Sequence, residues 1–234
     1  MKTSNKILLT IGILATGCIL FRSVILAIAV PQIANGHTSP FINLAGETSR
    51  IEIDPFTDLS IQSQGFVRIS VKQGPKTVIT GDKNLNDCVK IKYQGSTMLI
   101  SYENKSSAIG YLNIVSPSVK SINISNPDVA DRSYVAIIEG FNADSMDLVL
   151  TRFQQSLIRN CKFNKLGITA RNNGMRNCDL EIEESNQIEN LNMDIQGRGW
   201  MQLQSIGTKT NNFIVSDSIG ISTSGQVLKT LKNQ

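Results

Sequence analysis

The sequence predicts an all-β domain, a parallel β-helix or solenoid, preceded by one N-terminal transmembrane helix. Three observations predict it. A long apolar run lies near the N-terminus, the pattern switches to period two after Arg50, and an imperfect repeat occupies the second half. They divide the chain into an anchor or signal segment over 1–31, a linker over 32–49 and a β-helical domain over 50–234.

The first element is the run from Ile7 to Val30, preceded by Lys2 and Lys6. A helix of that length spans about 36 Å, enough to cross a bilayer core with some tilt. Arg22 interrupts it at a cost of roughly 2.5–3.5 kcal/mol, against about 4–8 kcal/mol returned by the Ile, Leu, Val and Phe side chains around it. Arg22 is off-centre and free to snorkel outward, so insertion wins. Two other readings fit the same stretch. One is a cleaved signal with Ile7–Phe21 as its apolar region and Ala27-Ile28-Ala29 as its cleavage site. The other is a lipoprotein site at Leu14-Ala15-Thr16-Gly17-Cys18, although mostly apolar sequence follows Cys18. All three keep the positive end inside and place the remainder outside the cytoplasm, in the periplasm or on the cell surface.

Charge narrows the class of partner. Of 23 basic residues, Lys2, Lys6 and Arg22 fall within the first 31 with no acid beside them, leaving 20 against all 19 acidic residues. The exported part is close to neutral, which argues against a nucleic-acid footprint.

Pro31 to Arg50, "PQIANGHTSPFINLAGETSR", has no period and reads as linker. It holds the only histidine, His37, which removes a histidine base from the rest of the chain. After Arg50 short strands follow one another: Ile51/Ile53, Leu59/Ile61, Val67/Ile69/Val71, Val89/Ile91/Tyr93 and Met98/Ile100/Tyr102, separated by turns such as "KQGPK", "GDKN" and "QGS". The nearest approach to a helical pattern is "NADSMDLVL", which runs directly into a strand pattern.

In the second half, "LVLTRF" (148–153), "LGITAR" (166–171), "LNMDIQ" (191–196) and "FIVSDS" (213–218) each begin apolar and then alternate, with starts 18, 25 and 22 residues apart. Each unit holds a second short apolar element: Leu157-Ile158, Met175, Met201/Leu203 and Ile219/Ile221. Imperfect periods of this size indicate a solenoid. The tripeptide Arg-Asn-Cys occurs twice, at 159–161 and 176–178. Stacking in consecutive coils explains it best. Asn tolerates the left-handed bend and Cys behaves as a small inward hydrophobe. Cys161 and Cys178 are then a stacked pair, which would be able to oxidise. Two Cys without a CxxC or a nearby His lack the ligand count of a zinc site.

Residues 56–101, "FTDLSIQSQGFVRISVKQGPKTVITGDKNLNDCVKIKYQGSTMLIS", resemble the opening of the GIN domain family, the putative auto-transporter adhesin heads. The alternation up to Gln73-Gly74, Val78, Gly81-Asp82, Asn84, Asp87, Val89, Gly95 and Leu99-Ile100 carry the likeness, and the ending "STSGQVLKTLKN" is similar. The resemblance covers roughly 49–234 and departs over 151–200, which is richer in Asn, Arg and Met than the Gly/Ser-rich coils such domains often have. It implies an exported β-helical adhesin domain of a Bacteroidetes-type cell envelope. It brings no catalytic residues and no cofactor.

No phosphate loop, HExxH, GxSxG or EF-hand pattern is present. The expected function is therefore a membrane-anchored, non-enzymatic module for binding, adhesion or structure, with a cell-surface glycan or a protein as ligand. The alternative is a polysaccharide-cleaving β-helix enzyme using the surface carboxylates Glu181 and Glu183 of "DLEIEESNQIEN". Alternation puts both on the solvent side of one strand, where a plain solvated face is the blander reading. Trp200 in "QGRGWMQL", with Arg198 beside it, offers a sugar-stacking platform or a cation–π pair; packing on the core is the commoner role of such a Trp. The expected ligand surface thus comprises Trp200, Arg198, Glu181 and Glu183, with no metal and no cofactor.

Overall fold

Alternation builds the strands. In "DLSIQSQ" Leu59, Ile61 and Ser63 are buried while Ser60, Gln62 and Gln64 face outward, as the pleat requires. The computed structural model describes residues 49–82, 84–104, 109–127, 134–172, 178–204, 208–216 and 218–223. All lie in a compact unit, Glu47–Gln234.

The strands are β1 (Ser49–Glu52), β2 (Asp58–Gln64), β3 (Val67–Gln73), β4 (Val78–Gly81), β5 (Val89–Gln94), β6 (Thr97–Glu103), β7 (Gly110–Ser116), β8 (Ser121–Ser125) and β9 (Tyr134–Glu139). They continue as β10 (Asn142–Thr151), β11 (Phe153–Arg159), β12 (Lys162–Arg171), β13 (Cys178–Ile182), β14 (Gln187–Gln196), β15 (Gly199–Leu203), β16 (Thr210–Val215) and β17 (Ile219–Thr223). A single helical turn, α1 (Leu85–Cys88), precedes β5 and buries Leu85. The stretch 142–150, with its weak helical pattern, is strand throughout.

Two sheets result. The nine-stranded sheet runs β1-β4-β7-β3-β9-β11-β13-β15-β17, and the eight-stranded sheet runs β16-β14-β12-β10-β8-β2-β6-β5. This corrects the expected parallel β-helix. Both sheets are mixed: β1–β4, β4–β7 and β5–β6 pair antiparallel. The strand order also does not follow one winding direction. β2 lies between β6 and β8, and β3 between β7 and β9, so later strands are added on both sides of each, while β1 takes the edge of the nine-stranded sheet. Alternation reports which side of a strand is buried, not which strand lies beside it, and that is why the order escaped the sequence.

The expected transmembrane helix is likewise not found. Among the described residues no helix is long and apolar enough to cross a membrane, and residues 7–30 lie outside them.

Parallel pairing in register aligns the core in rows. Leu59, Ile122, Leu148, Ile168 and Met193 form one row of the eight-stranded sheet. Ile69, Ala136, Ser156, Leu180 and Met201 form one of the nine-stranded sheet. Inward residues of both sheets belong to a single apolar cluster. Tyr134 is fully buried in it, with its ring 6.5 Å from that of Phe153. Its hydroxyl donates to the Ile124 carbonyl at 2.7 Å and accepts the Thr151 N–H at 3.2 Å, so no polar atom of the ring is stranded.

Candidate ligand surface

Trp200 stands on the outward face of the nine-stranded sheet. On β15 the inward positions Met201 and Leu203 are buried, so Trp200 and Gln202 point away from the core. In register Trp200 lies between Asp179 of β13 and Gly220 of β17. A Cβ on Gly220 would run into Cε3 and Cζ3 of the Trp200 ring, so that edge of the indole packs against the glycine. That edge of the ring occupies space that only a glycine leaves free. Trp200 nonetheless remains 52% exposed. Gly220 went unnoticed in the sequence; the signal was its place 20 residues after Trp200, within the spacing of the repeat.

The expected neighbours take different places. Glu181 is on β13, with Gln202 as its register partner on β15. Its Oε1 accepts from Gln204 Nε2 at 2.7 Å. Glu183 is one residue past the end of β13, in a turn where its Oε2 accepts from Ser185 Oγ at 3.4 Å. Arg198 is exposed before β15, its carbonyl accepting the Cys178 N–H at 2.9 Å. The structure thus groups Trp200 with Asp179 and Glu181, whereas Glu183 belongs to a tight turn. Among the described residues no cluster of three His, Cys, Asp or Glu suits a metal ion.

The two thiols are not brought into one row. Gln155 pairs with Asp179 and Lys162 with Gln187, intervals of 24 and 25 residues. The seventeen residues between Cys161 and Cys178 fall short of a full repeat. Cys161 precedes β12 of one sheet, level with Asn186; Cys178 opens β13 of the other, opposite Gly199. Both are free thiols. Asn160 does adopt the left-handed conformation, at φ +54°. Asn186 Oδ1 then takes the Cys161 N–H at 2.9 Å, while its amide donates to the carbonyls of Ile158 and Glu183, each at 2.7 Å. Arg176 and Asn177 lie outside the described residues.

Burial pushes the Cys161 thiol up to about 11 from an ordinary 9.0. The folded state therefore holds the proton more tightly than the unfolded chain, and stability falls as pH rises through that interval. We expect the stability difference between wild type and Cys161→Ala, measured by urea titration, to be constant below pH 9 and to shrink steadily up to pH 11. A difference independent of pH would mean that the thiol is solvated.

No family model matches the chain, and no curated protein does. Solved structures with a related shape include a putative adhesin from Bacteroides fragilis, 14% identical, covering 76% of this chain and 96% of that one at a TM-score of 0.48. A putative adhesin from Parabacteroides merdae is 16% identical, covering 76% and 94% at a TM-score of 0.39. A putative lipid binding protein from Parabacteroides distasonis is 15% identical, covering 77% and 98% at a TM-score of 0.38. All three TM-scores lie below 0.5, so the function of this chain has to be argued from its own surface.

Proposed function

We propose that the domain is a non-catalytic binding module working outside the cytoplasm, with a cell-surface glycan as its ligand and Trp200 as the stacking platform. The observation that carries this reading is the indole, 52% exposed, with its Cε3–Cζ3 edge seated on Gly220. A large apolar ring braced against a sheet loses little freedom when a ligand covers it. It suits the C–H face of a sugar ring, and the exposed Asp179 beside it and Glu181 in the next row accept hydroxyl protons at the rim. Orientation by a few polar groups around an apolar contact is how small-molecule sites obtain specificity.

Trp200 is the only tryptophan in the chain, so its fluorescence reports this surface alone. Titration with a panel of oligosaccharides is expected to give a saturable change in emission for at least one. Calorimetry with that sugar should show affinity reduced at least tenfold in Trp200→Ala and partly kept in Trp200→Phe. Binding that survives Trp200→Ala unchanged would move the ligand elsewhere. Hydrolysis of the sugar, lost in Glu181→Gln, would establish the cleaving enzyme instead.

A further inference from the structure

The outward face of the eight-stranded sheet carries a trough of about 330 Å³ that the Trp200 surface does not touch. β10, β12, β14 and β16 are parallel and in register, so their outward residues form rows running across the strands. One row is Asp147, Gly167, Asn192 and Asn212; the next is Val149, Thr169, Asp194 and Ile214. The trough exists because Gly167 has no side chain. A Cβ there would come within 2.5 Å of Asp147 Oδ1, so the carboxylate leans into the space. Half-buried Val149 and Ile214, which is 58% exposed, add apolar surface.

The polar groups along this face fall into two states. Further along the Asp147 row, Ser121 pairs with Asp58. The Asp58 carboxylate accepts from the hydroxyls of Thr57, Ser96 and Ser121, and its pKa is held down by those bonds. Asp194 is likewise occupied, bound to the Arg171 guanidinium. At the trough itself the pattern stops. Among the described residues the side chains of Asp147, Thr169, Asn192 and Asn212 have no hydrogen-bond partner, although all four line it.

We propose that this trough is a second glycan subsite, which takes a neutral sugar chain lying across the strands with its hydroxyls on the Asp147 carboxylate that leans over Gly167. The chemistry of the free groups selects the ligand. Two amides, a hydroxyl and a carboxylate offer both donors and acceptors, which matches a polymer whose hydroxyls do both. They recur at the strand spacing of about 4.8 Å, close to the length of one hexose unit. Anions such as phosphates meet Asp147 and are disfavoured. A peptide strand gains its main-chain bonds at a sheet edge, and this face offers only side chains. With Trp200 on one sheet and the trough on the other, a single domain would hold two glycan segments, and avidity would exceed the affinity of either site.

The test uses the full chain carrying Trp200→Ala, so that the first surface is silent and its failure is scored separately. Calorimetric titration with cellohexaose, laminarihexaose and xylohexaose is expected to show saturable binding of at least one. Gly167→Val, which fills the trough with a residue that strands favour, should weaken it at least tenfold, and Asn192→Ala by a comparable factor. Circular dichroism and the thermal midpoint should stay unchanged in both. Binding of none of the three sugars overturns the subsite, as does binding that survives Gly167→Val. Capture of hexalysine without any neutral sugar would also overturn it, making the trough an acidic docking face for a cationic peptide.

Discussion

Leu191→Ala is expected to cost the domain about 2–5 kcal/mol, the range of buried Leu truncations whose cavity relaxes only partly. Leu191 is fully buried on β14, level with the buried Leu166 of β12. Its cavity therefore opens between neighbouring strands that are fixed by their own register and have little freedom to close on it. Thr169 supplies the control. It faces outward on β12, between Val149 and Asp194, where Thr169→Ala should cost under roughly 0.5 kcal/mol. Urea denaturation of the two variants beside wild type checks the inward and outward assignment of the sheet. Similar losses would mean that the two faces had been exchanged.

The same alternation marks how far the sequence could be read. Leu148, Leu150, Leu166, Ile168, Leu191 and Met193 were legible as inward, and all are buried; Phe213 and Val215 are partly buried against the core. The strand neighbours were not legible. Asp58 pairs with Ser121 across 63 residues, and nothing local to either strand announces that β8 will return beside β2. The antiparallel pairs at the start of the domain were hidden for a related reason, since a two-sided sheet imposes one period whichever way its strands run. The exposure of Trp200 ran against the commoner role of such a Trp, packing on the core; it follows from the alternation that turns Met201 and Leu203 inward. Its seat on Gly220 was not legible, because it depends on which residue of the following strand stands level with it. The paired tripeptide misled through its identity. A spacing of seventeen is shorter than the intervals at which strands here stand beside one another, and that number carried more structural information than the shared residues.

Gly199→Ala should be the most damaging of the glycine substitutions, at about 2–6 kcal/mol, combining backbone strain with overpacking. Gly199 sits at φ +152°, in a region that side chains rarely adopt. It also stands level with Cys178, the first residue of β13. A Cβ at 199 would run into the Cys178 carbonyl oxygen and lie 2.6 Å from its nitrogen and 2.7 Å from its carbonyl carbon. These are backbone atoms of a paired strand. They cannot rotate aside as a flexible side chain would, and the Cys178 N–H is already committed to the Arg198 carbonyl at 2.9 Å. Gly140 separates the two contributions. It too has positive φ, at +75°, but a Cβ there would meet nothing within 4 Å. Gly140→Ala should therefore show the conformational cost alone, about 1–2 kcal/mol. Guanidinium titrations followed by the emission of Trp200, the residue next to Gly199, would compare them directly. Equal losses in the two variants would mean that β13 yields to the new methyl group and that the close approach of the two strands is not a constraint on the fold.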